Sequence, residues 1–261
     1  MKIFLLNVIF LLFISFLAKA NEFPLDPNIT YGKLDNDLTY YVRENRKPKD
    51  KAYIKMVIKA GSVMEEDHQQ GLAHLLEHMA FNGSKNFPKR SIDEFMSSIG
   101  LNIGTHYNAT TGFFTTNYEY EIPTNDPKNL ETVIKIFADI LKNLSLEDDA
   151  FERERKIVEE EWRGDIGAEK KYSEAFYKVT HKDSLLEKRL PIGKIEVIRN
   201  FKYQDVIEFY EKWYQPEITA LFVAGDVDTN KIIKLIEDNF SSFKNSAELD
   251  IPDYSIPDFN N

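Results

Sequence analysis

Hydrophobic and polar positions alternate along this chain with two periods, and the switches between them mark its elements. ITYGKL and LTYYVREN are β-rich runs flanking Asp35-Asn36-Asp37, which predicts a hairpin closed by an Asx-rich turn. AYIKMVIKAG (52–61) alternates and is rich in β-branched residues, so it is a third strand. An acidic turn, EEDHQQ, follows. Leu72, Leu75, Leu76 and Met79 then recur at i, i+3, i+4 and i+7, which predicts a helix over 71–81 with one buried stripe. A helix over 91–99 is expected to open with Ser91 as N-cap, to carry Asp93 and Glu94 in its first turn and to stop at Gly100. FFTTNYEYEI (113–122) is aromatic and β-branched, a strand broken by Pro123 and Pro127. Helical patterns occupy 130–144, 146–162 and 169–180. A loop over 189–201 runs into a short helix, and 203–214 is helical up to Pro216. An apolar strand at 218–227 and a helix at 229–240 complete the pattern. Strands, then helices, then one late strand and a helix predict a layered α+β fold.

The two ends depart from this pattern. Lys2, the apolar stretch from Ile3 to Leu17 and the triplet Ala18-Lys19-Ala20 have the form of a cleaved signal peptide over 1–20. The stretch is shorter than the roughly 20 residues a spanning helix needs. A periplasmic or secreted protein is therefore expected, with no membrane partner after cleavage. Residues 21–245 read as the folded domain. From 246 to 261, SAELDIPDYSIPDFNN weakens into a linker or the truncated start of a next domain.

Composition narrows the function classes. With 43% hydrophobic and 29% charged residues the chain is globular, and a net charge of −10 without a basic block argues against a nucleic-acid partner. There are no cysteines, so disulfides, thiolate metal sites and a lipoprotein anchor are excluded. Any metal must be held by histidine and carboxylate.

Two of the five histidines stand four apart around a carboxylate, in the order His74, Glu77, His78 within GLAHLLEHMAF. On a helix, i and i+4 share a face, so both imidazoles can aim at one point. Zinc takes neutral imidazole nitrogens in a tetrahedral shell, and a catalytic zinc needs a third protein ligand and an open position. A solvated surface helix could also carry such a pair, but this one lies beside a buried leucine stripe. FERERKIVEEEWR (151–163) supplies acidic candidates for the third ligand. Glu154 and Glu161 are two turns apart and share a face, while Glu159 and Glu160 point elsewhere. On the residues alone the choice among the four stays open. His68 and His106 read as exposed loop residues, and His181 is given no role.

HLLEH followed by a helix ending in E-E-W-R resembles the pitrilysin family of inverted-motif zinc peptidases, which includes insulin-degrading enzyme, mitochondrial processing peptidase and bacterial periplasmic zinc proteases. YGKLDNDLTYYVREN, GLAHLLEHMAFNGSKNFP, NATT (108–111), FERERKIVEEEW, RLPIGKIEVI and FYEKWYQPEITALFVAGDVD extend the resemblance over most of the chain. It implies one domain of the usual four and one zinc ion held by His74, His78 and Glu161. It also implies Glu77 as general base to a zinc-bound water, Glu154 as a supporting carboxylate, and Asn108 and Ala109 in contact with an extended peptide substrate. The interval from His78 to Glu161 is longer than the family's usual gap, as an insertion near HYNATTGFF would make it. No segment matches the Arg and Tyr pair that the family's second half contributes. Two functions are thus expected: a zinc endopeptidase, or a catalytically weak scaffold or partner subunit that a second chain or C-terminal half completes.

Overall fold

A computed structural model describes residues 24–164, 167–246 and 249–255. The signal-peptide reading of residues 1–20 lies outside them.

The first hairpin forms as its pattern predicts. Strands β1 (Thr30–Lys33) and β2 (Thr39–Glu44) pair antiparallel, and β3 (Lys51–Ile58) follows. Then come helices α1 (Leu72–Met79) and α2 (Ser91–Ser98) and strands β4 (Tyr107–Thr111) and β5 (Thr116–Pro123). Helices α3 (Pro127–Lys142), α4 (Asp148–Gly164) and α5 (Ala168–Thr180) are succeeded by the short α6 (Leu185–Lys188) and α7 (Ile195–Ile198). Helix α8 (Tyr203–Trp213), strand β6 (Thr219–Gly225) and helix α9 (Thr229–Phe240) close the sequence of elements.

The six strands of the described residues join one sheet in the order β1-β2-β6-β3-β5-β4. The late strand β6 enters the middle of the sheet, parallel to β2 and antiparallel to β3. Strand alternation sends Ile54, Met56, Tyr118, Tyr120, Leu221 and Val223 into the core. The other face carries Lys55–Glu119 and Lys51–Glu121 ion pairs, each at 2.6 Å, and the stacked rings of Tyr41 and Phe222. On the core side, Leu72, Leu75, Leu76 and Met79 of α1 are all buried. Each such side chain contributes about 1.5–3 kcal/mol relative to exposure. That burial holds an eight-residue helix too short to persist alone in water.

Three local expectations are corrected. Ser91 is not an N-cap: Arg90, at φ +70°, precedes the helix, and Ser91 Oγ instead donates to Pro88 O at 2.6 Å. The 113–122 strand begins only at Thr116, because Gly112 N donates to Thr115 O and turns the chain through Phe113 and Phe114. The acidic turn holds a 3-10 helix, Asp67–Gln69. Pro123 is the last residue of β5, and Pro127, expected as a breaker before a helix at 130, instead takes the first helical position of α3 behind Asp126, whose side chain accepts from Lys128 N.

Candidate metal centre

Gly71 stands at the N-cap position before helix α1, and its φ of +102° suits only glycine comfortably. Gly71 cannot cap the helix with a side chain, so the cap comes from elsewhere. The buried Glu65 carboxylate accepts from Gly71 N at 3.0 Å and Ala73 N at 2.9 Å. Burial pushes its pKa up to about 8, against the opposing pull of those two amides and of Arg189.

With its leucine stripe against the core, α1 turns His74 and His78 to the edge of a cleft and keeps both half-buried. Their Nε2 atoms stand 3.2 Å apart with the rings nearly perpendicular. Helix α4 packs beside α1 and brings Glu161 Oε2 to 3.6 Å from His74 Nε2 and 3.5 Å from His78 Nε2. Tetrahedral zinc with bonds of about 2.0–2.2 Å places neighbouring donor atoms roughly 3.3–3.5 Å apart. The three side chains present that triangle, so the residues fit the metal. Among the described residues, His74, His78 and Glu161 form the group able to hold an ion.

The surroundings act on the two imidazoles in opposite directions. Burial and the neighbouring His78 depress the His74 pKa to about 4, which leaves its ring neutral and able to donate a lone pair at neutral pH. His78 moves the other way: burial opposes its charge, but the bond to Glu154 and the fields of Glu161 and Glu77 outweigh that and raise its pKa. Glu154 Oε2 lies 3.3 Å from His78 Nδ1, and Asn82 Nδ2 donates to Glu154 Oε1 at 2.8 Å. A proton shared on the Nδ1 side directs the Nε2 lone pair toward the triangle. His74 Nδ1 is buried and has no hydrogen-bond partner among the described residues, so only one imidazole is oriented by a carboxylate.

Glu77 is buried next to the triangle and accepts a 2.7 Å hydrogen bond from Thr111 Oγ1 at the end of β4. Burial raises its pKa, with Thr111 and His78 pulling against it and Glu161 adding to the rise. Glu159 bonds Arg199 and Arg163, at 2.8 and 2.6 Å, and Glu160 pairs with Arg163. Of the four glutamates weighed on α4, Glu161 and Glu154 reach the histidines. Asn108 and Ala109 lie on β4 in the wall of the same cleft, about 790 Å³ in volume, with Asn108 exposed and Ala109 buried. Sequence reasoning singled out neither Thr111 nor Asn82. The signals were the last residue of NATT and the asparagine closing HMAFN.

The pattern of the family described as "Insulinase (Peptidase family M16)" matches residues 40–191, more than half of the chain. The chain belongs to the M16 peptidase family. Residues 200–260 match a second pattern, "Peptidase M16 inactive domain". Similar proteins include "Probable zinc protease PqqL" of Haemophilus influenzae, 35% identical over 92% of this chain and 26% of that protein. The Escherichia coli protein of the same name is 33% identical over 91% of this chain and 26% of its own length. Among solved structures, periplasmic PqqL from Escherichia coli superposes with a TM-score of 0.86 at 32% identity, covering 91% of this chain and 26% of that one. The first half of PqqL superposes with a TM-score of 0.85 at 31% identity, and the chain covers 50% of it. The chain thus spans about a quarter of the full-length relatives it matches. These relatives are named zinc proteases, and zinc is the cofactor this two-nitrogen, one-oxygen donor set serves.

Proposed function

We propose that this M16 chain carries the metal-bearing part of a periplasmic zinc endopeptidase that cleaves extended peptides. The observation that carries the reading is the triangle of His74, His78 and Glu161 donor atoms with Glu77 one residue before a ligand on the same helix face. Zinc, when bound, polarises the scissile carbonyl and acidifies water. Glu77 is the general base: it takes the proton of the attacking water and returns it to the leaving amine. Its burial suits both tasks, because burial raises the carboxylate's affinity for a proton. Thr111 fixes the orientation of that carboxylate. Glu154 is the supporting carboxylate that orients His78.

The peptide adds to β4, the terminal strand in the sheet order. Main-chain pairing reads an extended chain with little regard to its sequence. Glu121 N donates to His106 O, and Gly112 N to Thr115 O, so alternation turns the main-chain groups of Asn108 and Thr110 toward β5. Ala109 and Thr111 then turn theirs outward, beside Glu77. Asn108 supports the reading as an exposed side chain on the same wall.

The periplasmic location rests on the N-terminal sequence pattern and on the periplasmic Escherichia coli neighbour. No helix of the described residues is long and apolar enough to cross a membrane.

A second reading is a metal-holding scaffold or partner subunit that another chain completes. The match of residues 200–260 to the M16 inactive-domain pattern favours it. A quenched fluorescent peptide assay of the purified protein, with and without chelator, separates the two. Chelator-sensitive cleavage that disappears in Glu77→Gln supports the endopeptidase. One equivalent of zinc without such cleavage overturns it in favour of the scaffold.

A further inference from the structure

The two helices that carry the metal ligands are far apart in sequence, yet one short loop touches both beside the ligands. The geometry points to Arg189 and the loop Leu190–Gly193 as a positioning bracket that sets the spacing of α1 and α4, and hence the zinc affinity of the triangle. At one end, Arg189 is buried. Its Nε donates to Glu65 O at 2.9 Å, its guanidinium bonds Asp67 Oδ1 at 2.7 Å, and its carbonyl accepts from Ser62 Oγ. Glu65 in turn holds the amides of Gly71 and Ala73, the residue before His74. At the other end, Gly193 (φ +74°) lies against the start of α1. A Cβ there would stand 2.4 Å from Gln70 O and 2.5 Å from Gly71 Cα. The Gly193 carbonyl accepts from Trp162 Nε1 at 3.3 Å, and Trp162 follows Glu161. A turn from Gly193 N to Leu190 O, 2.8 Å, keeps the loop short and stiff.

Ligand side chains deliver affinity only when their supports hold them within about 0.5 Å of the productive geometry. His74 and His78 share one helix, so their mutual spacing is local. Their spacing to Glu161 is not, and the bracket spans that gap. Outer-shell changes around zinc typically lower affinity by about 10–100-fold.

The test measures zinc dissociation constants by chelator competition on Trp162→Phe, Arg189→Met and a control, Ile236→Ala. Ile236 is buried in α9, away from α1 and α4. Circular dichroism and the melting temperature of the zinc-free protein report folding. Trp162→Phe removes the indole N–H and leaves a smaller aromatic ring in its place, so it is expected to stay folded and to weaken zinc by about tenfold. Its cobalt-substituted form is expected to show an altered visible absorption spectrum. Arg189→Met is expected to weaken zinc further, and Arg189→Lys to recover part of the loss. Ile236→Ala is expected to lower the melting temperature without changing the dissociation constant. Wild-type affinity and cobalt spectrum in folded Trp162→Phe would overturn the proposal, as would equal zinc loss in the control. Because the readout is metal binding, absent peptide cleavage alongside the expected affinities would sink the endopeptidase reading and leave the bracket standing.

Discussion

Helices α1 and α4 supply the same triangle from opposite kinds of environment. The shorter α1 buries six of its eight residues, including Glu77, and is capped by the carboxylate of Glu65, six residues before Gly71. The longer α4 buries only Ala150, Phe151, Glu154 and Val158 of its seventeen residues, and lines its outer face with Arg–Glu pairs. Glu161 remains nearly half exposed at 45%, against 19% and 18% for the histidine side chains. Imidazoles bind metal when neutral, and a dry, rigid helix keeps His74 so. A carboxylate brings its charge from water, so its helix can be solvated. Helix α1 thus gives the triangle its rigid, buried geometry, and α4 its charge.

Substitutions at matched places break or sharpen this contrast. The largest effect is expected on α1: His78→Ala should lose stoichiometric zinc, measured by elemental analysis, and with it all chelator-sensitive cleavage. Glu77→Gln on the same helix should keep the zinc while cleavage falls by roughly 10²–10⁴-fold. Equal zinc loss in both variants would merge two roles assigned here to separate residues. On α4, Glu161→Gln should weaken zinc strongly, whereas its neighbour Glu160→Gln should leave the dissociation constant unchanged, since Glu160 faces Arg163. A reversal of that pair would mean the wrong glutamate has been read as the ligand.

Stability should separate the helices by smaller margins. Leu76→Ala in α1 empties a fully buried site and should cost about 2–5 kcal/mol in urea unfolding. Ile157→Ala on α4, 44% exposed, should stay within about 0.5 kcal/mol. The smallest signal is in pH. Glu65 beneath α1 has a folded-state pKa near 8, above its ordinary 4.5. Between those values the folded state holds a proton that the unfolded chain has released. Its contribution is full below pH 4.5 and fades as pH rises toward 8. On α4, Arg153 holds the Asp149 pKa down and Arg199 does the same for Glu159, so their contribution is present at neutral pH and lost on acidification. Unfolding of zinc-free Glu65→Gln at pH 5–8 should show a flatter pH dependence than the parent protein.

Much of this architecture was legible because its causes are local. The leucine stripe of α1 needs only a 3.6-residue period, and the β1–β2 hairpin only two β-rich runs and an Asx-rich turn. The i, i+4 spacing put His74 and His78 on one face before any fold was known. What misled was competition between local signals. Ser91 has the chemistry of a cap, yet a left-handed Arg90 ahead of it changed the geometry. Phe113 and Phe114 have strand propensity, but Gly112 folds them into a turn. Strand β4 did not emerge from periodicity, because five residues that alternate buried and exposed carry little signal; only the likeness of NATT to a known segment pointed there.

The sequence by itself determined which side chains can bind a metal, and that two of them must stand together, because helix geometry is set by the backbone alone. Which glutamate meets them was decided only by tertiary structure. Glu154, Glu159, Glu160 and Glu161 are chemically alike, and the packing angle of α4 on α1 is a property of the whole core. The same holds for Thr111 on Glu77 and for β6 between β2 and β3: each joins residues far apart in the chain, and no local period encodes a distance of that kind.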